Sequence, residues 1–184
     1  MFINNTIFSD HYQQVLSEDL LLKQNIFCLS QLLKIEKIIV TQCSPLSQKN
    51  IQFLIPPLTA QELISGQKAK ITQTIKAVAN FQTRKNEPIG SLSTLQKEKA
   101  YSFLEKLVYL YLPRQQNNLK KKIYANVHHF GIDDCLLFPE CESFYDLFHT
   151  EYVQGFNINI HTKNKKKQRE GNRLLLSGFL LNTL

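Results

Sequence analysis

The sequence predicts an α+β fold: a two-layer sandwich with helices packed on one face of a mostly antiparallel sheet. Three observations predict it. Residues 155–162, GFNINIHT, alternate strictly between apolar (Phe156, Ile158, Ile160) and polar, the period of a strand with one buried and one wet face. Residues 97–112, KEKAYSFLEKLVYLYL, place Tyr101, Leu104, Leu107, Val108 and Tyr111 on one helical stripe. Strand-like and helix-like segments follow one another irregularly, without the βαβ repeat of a parallel sheet.

Each element follows in order. Residues 9–28 show helical spacing (Tyr12, Val15, Leu16, Leu20, Leu21), with Ser9 as N-cap. Residues 34–41, KIEKIIVT, are β-branched and predict a strand ended by Ser44-Pro45. Residues 50–65 predict a helix that Pro56-Pro57 must begin, kink or split, with Gly66 as its C-terminal cap. Strands are expected at 68–74 and, after the Asn86-Glu87-Pro88 turn, at 89–95. Pro113 closes the helix that starts at 97. Residues 123–130, 135–138 and 155–162 are strand candidates, and 170–181 predicts a closing helix. No linker or internal repeat divides the 184 residues, so one domain is expected, with its core at about 9–181 and basic loops at 114–122 and 163–169.

The charge is unevenly spread. Lys and Arg number 22 against 15 Asp and Glu, a net charge of +7. Residues 66–122 hold twelve Lys/Arg and only Glu87, Glu98 and Glu105; residues 123–162 hold no Lys or Arg and six acids. A basic half of this kind implies an anionic partner. No run approaches the ~20 apolar residues of a membrane span. MFINNTIFSDHY, at the start, has neither a basic n-region nor the arginines of a transit peptide. Cys28, Cys43, Cys135 and Cys141 show no CxxC spacing, which favours reduced thiols. Absent Trp and abundant Asn, Lys, Ile, Leu and Phe match an AT-rich coding sequence, hinting at an organelle genome.

Between Glu62 and Glu87 there is no acid, yet Lys68, Lys70, Lys76, Arg84 and Lys85 are interleaved with Gln67, Thr72, Gln73, Thr74, Asn80, Gln82 and Thr83. Ile71, Ile75, Val78 and Phe81 read as one face of a folded segment. Lysines suit phosphates, while uncharged donors suit ribose hydroxyls and base edges. Arg114, Lys120, Lys121 and Lys122, and Lys165, Lys166 and Lys167 in the second basic loop, supply further phosphate contacts. A solubilising surface would explain the charge but not the amide-rich mixture.

Other chemistries fare less well. Gly66-Gln67-Lys68 lacks the earlier glycine of a phosphate-binding loop. His128, His129, Asp133 and Asp134, with Cys135 and Cys141 nearby, invite a metal-dependent ribonuclease. Neighbouring strand residues face opposite ways, however, and Cys-x5-Cys is not a zinc-ribbon spacing. No nucleophile elbow is present. No catalytic residue, metal or cofactor is expected. The nuclease and a free-standing RNA-binding module stand as alternatives.

The motifs also occur in a telling order. ISGQK precedes a Lys/Thr-rich segment ending in Phe81; then come Arg84, Pro88-Ile89-Gly90, Ser93-Thr94-Leu95 and a helix ending Leu112-Pro113-Arg114. Lys34-Ile35-Glu36-Lys37-Ile38 lies upstream; Phe130-Gly131-Ile132, Phe138-Pro139-Glu140 and Gln154-Gly155-Phe156-Asn157-Ile158-Asn159-Ile160 lie downstream. From about residue 9 to 181 the chain resembles the ribosomal protein L-five family, large-subunit proteins that bind 5S rRNA. LLLSGFL, at 174–180, is similar to mitochondrially encoded members.

The resemblance implies a non-enzymatic protein of the central protuberance, in a mitochondrial ribosome and organelle-encoded. Its implied partners are 5S rRNA, large-subunit rRNA, P-site tRNA, neighbouring large-subunit proteins and a protein of the small-subunit head. A 5S patch falls on Gln67, Lys68 and Thr94, with Thr41 where the family has Asn; Thr is shorter and lacks two donors. A tRNA-facing loop falls on 71–85, through Thr72, Thr74, Lys76, Asn80, Gln82, Arg84 and Lys85. Where the family has a long Gly-rich loop, residues 115–122 are shorter and Lys-rich, which implies looser, more salt-dependent contacts. The family's Thr-Leu-Arg-Gly is here Thr94-Leu95-Gln96-Lys97, and Pro56-Pro57 has no counterpart.

Overall fold

The computed structural model describes residues 6–44, 47, 50–81, 83–115, 120–123, 126–148, 155–163 and 169–181. Helix α1 covers residues 7–23; β1 is Lys34–Cys43, α2 Ile55–Ser65, β2 Lys70–Gln73 and β3 Pro88–Gln96. Helix α3 covers 98–114, followed by β4 (Lys120–Ile123), β5 (Val127–Ile132), short helices α4 (Pro139–Glu142) and α5 (Tyr145–Phe148), β6 (Phe156–Lys163) and α6 (Arg169–Gly178). The described strands form one sheet in the order β2-β3-β1-β6-β5-β4. It is antiparallel, with helices packed against it, the α+β class expected. The chain resolves into two compact units.

The first unit comprises Met1–Ile38, Gln96–Phe130 and Asn159–Leu184. Its α1 starts earlier than the spacing suggested: Thr6, not Ser9, is the N-cap, its hydroxyl accepting from Ser9 N at 3.3 Å. Ser9 itself is buried. The Glu105 carboxylate of α3 accepts from Phe8 N at 2.8 Å, so α3 satisfies one of the orphan donors of α1. The predicted stripe buries Leu104, Leu107, Val108 and Tyr111, joined by Ala100 and Phe103. α3 ends at Arg114, one residue past Pro113, and the proline sits where the helix leaves a π-helical stretch, Lys106–Tyr111. Just past α6, Phe179 is fully buried, its ring 5.4 Å from Phe8, 6.3 Å from Tyr12 and 6.0 Å from Tyr101.

The second unit comprises Ile39–Leu95 and Gly131–Ile158. Pro56-Pro57 begins α2 rather than breaking it, occupying first-turn positions whose N–H groups need no partner inside the helix. Gly66 ends α2 at φ +59°, its N–H donating to Glu62 O at 2.9 Å. At Gly90 the two strands approach so closely that a Cβ would lie 2.3 Å from Gln42 O, hence the glycine of Pro-Ile-Gly.

Three further expectations need correcting. Residues 135–138 are not a strand: Leu136 N donates to Asp134 Oδ1 at 2.9 Å and Phe138 N to Cys135 O at 3.2 Å, a turn that hands over to Pro139. An Asp ahead of an apolar run outcompetes the strand ladder for backbone donors. The strand foreseen at 123–130 is two, β4 and β5. The basic run 114–122 is only partly loop, since Arg114 is helical and Lys120, Lys121 and Lys122 lie in edge strand β4.

On β5 the alternation sends His128 inward, where it is fully buried, and neither ring nitrogen has a partner among the described residues. Burial, helped by the nearby His129 and Arg173 charges, lowers its pKa from 6.5 to about 4. The unfolded chain therefore binds a proton that the folded chain refuses, and stability is lost as pH falls from 6.5 to about 4. Urea unfolding should show that loss, on the order of 3 kcal/mol at its limit. A His128→Phe variant should lack this component of the pH dependence.

Candidate nucleic-acid interface

The site is built on α2, β1, β2 and β3 of the second unit. Gln61 of α2 is fully buried. Its Nε2 donates to Val40 O at 2.8 Å and to Ser93 Oγ at 3.0 Å, and its Oε1 accepts from the Ser91 hydroxyl. One side chain thus ties α2 to β1 and β3. With Val40, Ser91, Ser93 and Leu95 buried against α2, strand alternation turns Thr41, Leu92 and Thr94 to the other face, where they are half-exposed.

Gln67, just past the Gly66 cap, donates from Nε2 to Thr94 O at 3.0 Å, and Ser65 Oγ donates to Gln67 O at 3.1 Å. The structure therefore brings Gln67 and Thr94 together. Thr41 lies on the neighbouring strand with its hydroxyl donating to Asn157 O at 3.3 Å. Lys68 is exposed beside them. Sequence reasoning missed Gln61 itself, although its spacing to buried Pro57 and Ile64, four before and three after, marks an amide on an apolar helix face.

The segment between β2 and β3 is folded by its own backbone and hydroxyls. β2 pairs antiparallel with β3 (Ile71 with Ser91, Thr72 with Gly90), with an irregularity between Thr72 and Gln73. Thr74 is the hub. Its N donates to Glu87 O at 2.9 Å and its hydroxyl to Arg84 O, while the hydroxyl oxygen accepts from Glu87 N at 3.1 Å. The Glu87 carboxylate is turned onto Arg84 N at 2.9 Å, so the acid bounding this stretch binds its backbone. Val78 and Thr83 exchange backbone bonds at 3.2 Å each. Lys76, Asn80, Arg84 and Lys85 are exposed and Thr72 half-exposed. Among the described residues no acid lies within ion-pair range of Lys68, Lys70, Lys76 or Lys85. Ile71, Ile75 and Val78 do not form a buried face: they are exposed, Ile75 by 82%.

Gln82, Lys165, Lys166 and Lys167 lie outside the described residues. Arg114 is exposed at the end of α3. The residues considered for a nuclease do not converge: His128 is buried, whereas His129 is half-exposed on the opposite face of β5. Among the described residues no three His, Cys, Asp or Glu gather as metal ligands.

Residues 88–182 match the ribosomal L-five family C-terminus. The large ribosomal subunit protein uL5m of Reclinomonas americana is 38% identical over 174 residues, covering 92% of this chain and 93% of its own length. The uL5c of Guillardia theta is 36% identical, with 94% of each chain covered. The uL5 of Buchnera aphidicola is 33% identical, with 90% of this chain and 92% of its own covered.

The chain belongs to the uL5 ribosomal protein family. It is accordingly a protein of the large ribosomal subunit and not an enzyme. Family membership implies ribosomal RNA and ribosomal proteins as partners. No described helix is long and apolar enough to cross a membrane.

Replacing Gln61 by Leu strands the Ser91 and Ser93 hydroxyls without their buried partner. Scanning calorimetry should show a loss of about 3 kcal/mol and a Tm lower by roughly 6–12 °C. Thr74→Val should instead leave Tm nearly unchanged, while amide exchange at Asn86 and Glu87 speeds up by about tenfold.

Proposed function

We propose that the chain binds 5S rRNA through Thr41, Gln67, Lys68 and Thr94. The loop bearing Thr72, Thr74, Lys76, Asn80, Gln82, Arg84 and Lys85 meets P-site tRNA. Arg114, Lys120, Lys121, Lys122, Lys165, Lys166 and Lys167 contact adjacent large-subunit rRNA in the central protuberance. The small-subunit head supplies a further protein neighbour. The observation that carries the reading is the 3.0 Å contact from Gln67 Nε2 to Thr94 O: residues 27 positions apart join one half-exposed polar surface.

Physical chemistry supports the division of labour. Gln67 has spent one amide hydrogen on Thr94 and is thereby held in orientation, which lowers the entropy lost when RNA binds. The Thr41 hydroxyl, already donating to Asn157 O, is left to accept, so recognition there differs from what an Asn amide provides. In the loop, Lys76 and Lys85, with no acid in ion-pair range among the described residues, attract phosphates of any sequence, and short hydroxyl and amide groups tolerate many tRNAs. Thr74, by contrast, supports the loop from within and acts on tRNA only by shaping it.

The ribosome is that of a mitochondrion. The AT-type composition and the 38% identity to the uL5m of Reclinomonas americana support that placement. Co-sedimentation of the tagged chain with mitochondrial large subunits tests it, and recovery with plastid or cytosolic ribosomes instead would refute it.

Binding to the organelle's own 5S rRNA should fall with salt at a log–log slope of about −4 to −5 if roughly six phosphates are engaged. Gln67→Ala with Thr94→Ala should abolish the preference for 5S rRNA over unrelated RNA of equal length. A double variant that discriminates as well as the parent would remove the patch from the interface.

A further inference from the structure

Two thiols meet in the core of the second unit. Cys135 and Cys141 are both free and buried, with 2% and 0% exposure, and a side-chain hydrogen bond joins them. The backbone between them is built of turns. Phe138 N donates to Cys135 O at 3.2 Å and Cys141 N to Phe138 O at 3.0 Å, two successive closures that let residues six apart come together. Phe138, midway, is fully buried. Cys141 lies in α4, which packs against α2.

Neither thiol is among the proposed RNA-binding residues, and among the described residues no three His, Cys, Asp or Glu gather as metal ligands. The hydrogen bond to Cys135, then burial, then the nearby Glu140 and Asp134 charges push the Cys141 thiol above its ordinary pKa. A thiol held protonated reacts slowly, so the pair rests in its reduced form. Its geometry is nevertheless that of a bridge in waiting, because a disulfide forms without distortion only where two cysteine side chains already point at one another. A segment made of turns and a four-residue helix also opens more readily than a strand ladder, and opening admits an oxidant.

We propose that Cys135 and Cys141 form a redox-modification site that closes to an intramolecular disulfide by exchange with a small-molecule disulfide such as glutathione disulfide. One thiol loses its proton, and its sulfur attacks glutathione disulfide and releases one glutathione thiolate. The second sulfur, deprotonated in turn, attacks the mixed disulfide at the protein sulfur and releases the other glutathione. Two electrons pass from the cysteine pair to glutathione disulfide, and the two thiol protons end on the two glutathione molecules. The closed ring fixes the turn that seats α4 on α2.

The test uses the full chain carrying Cys28→Ser and Cys43→Ser, since both of those cysteines are exposed and would react as well. The chain is equilibrated at pH 8 with glutathione and glutathione disulfide in varied ratio, alkylated and digested with trypsin. Both remaining cysteines fall in one tryptic peptide, residues 123–163, whose mass separates dithiol, disulfide and glutathione adduct. The equilibrium constant for the bridge should be about ten- to hundredfold larger in the folded chain than in the urea-unfolded chain. Oxidation should raise Tm by about 4–8 °C, and dithiothreitol should reverse the rise. Cys141→Ala should abolish both changes, and Cys135→Ala gives the same check should the first variant fail to fold. Glutathione adducts without a bridge, an equilibrium constant no larger in the folded chain, or a Tm that falls on oxidation would overturn the site and leave the pair as core packing.

Discussion

The proposed RNA-binding surface of the second unit depends on one buried amide. Gln61 has no exposure, and its donors and acceptor meet Val40 O, Ser93 Oγ and the Ser91 hydroxyl. A buried polar group costs free energy unless it is paired, and here pairing also specifies register. Sliding β1 or β3 by one residue would strand the amide and send Thr41 and Thr94 to the buried face. The proposed interface is therefore positioned from behind, by a side chain with no exposure of its own.

The same division holds in the segment between β2 and β3. Its few hydroxyls and its bounding acid are consumed by its own backbone, Thr74 by Arg84 and Glu87, and Glu87 by Arg84. What remains outward is cationic, amide or apolar, with Ile71, Ile75 and Val78 exposed. That combination is unfavourable in water and useful against nucleic acid, where lysines meet phosphates and flat apolar groups meet bases or riboses. Because no acid in ion-pair range of Lys68, Lys70, Lys76 or Lys85 exists among the described residues, their charge is fully available to a partner.

Much of this was legible where one physical signal dominated. Strict alternation at 156–160 could mean only a half-buried strand, and the stripe from Leu104 to Tyr111 only a helix facing a core. The sequence was opaque where two signals competed. Cys135 to Phe138 is apolar enough for a strand, but the Asp134 side chain captures Leu136 N first. Lys120 to Lys122 is charged enough for a loop, yet edge strands tolerate and even favour lysines. Ile71, Ile75 and Val78 have the spacing of a packed face, yet all three stay exposed. Gln67 and Thr94 were found through the motif order of a known family; that the side chain of one meets the backbone of the other depends on where α2 ends, which no periodicity encodes.

His128 and His129 show how far a single step along a strand separates chemical fates. They have the same side chain and differ by one residue, but the pleat sends one into the core and the other to the open face. Inside, desolvation dominates and holds His128 neutral down to about pH 4, a packing residue with no electrostatic role at neutral pH. Outside, His129 is half-exposed, and its Nδ1 lies 2.6 Å from Asn159 Oδ1, which orients the ring against β6. An adjacent histidine pair that looks in sequence like a ligand set for a metal is, in the fold, divided between the two faces. The alternation that denies the pair to a metal seals one ring in the core and leaves the other on the open face.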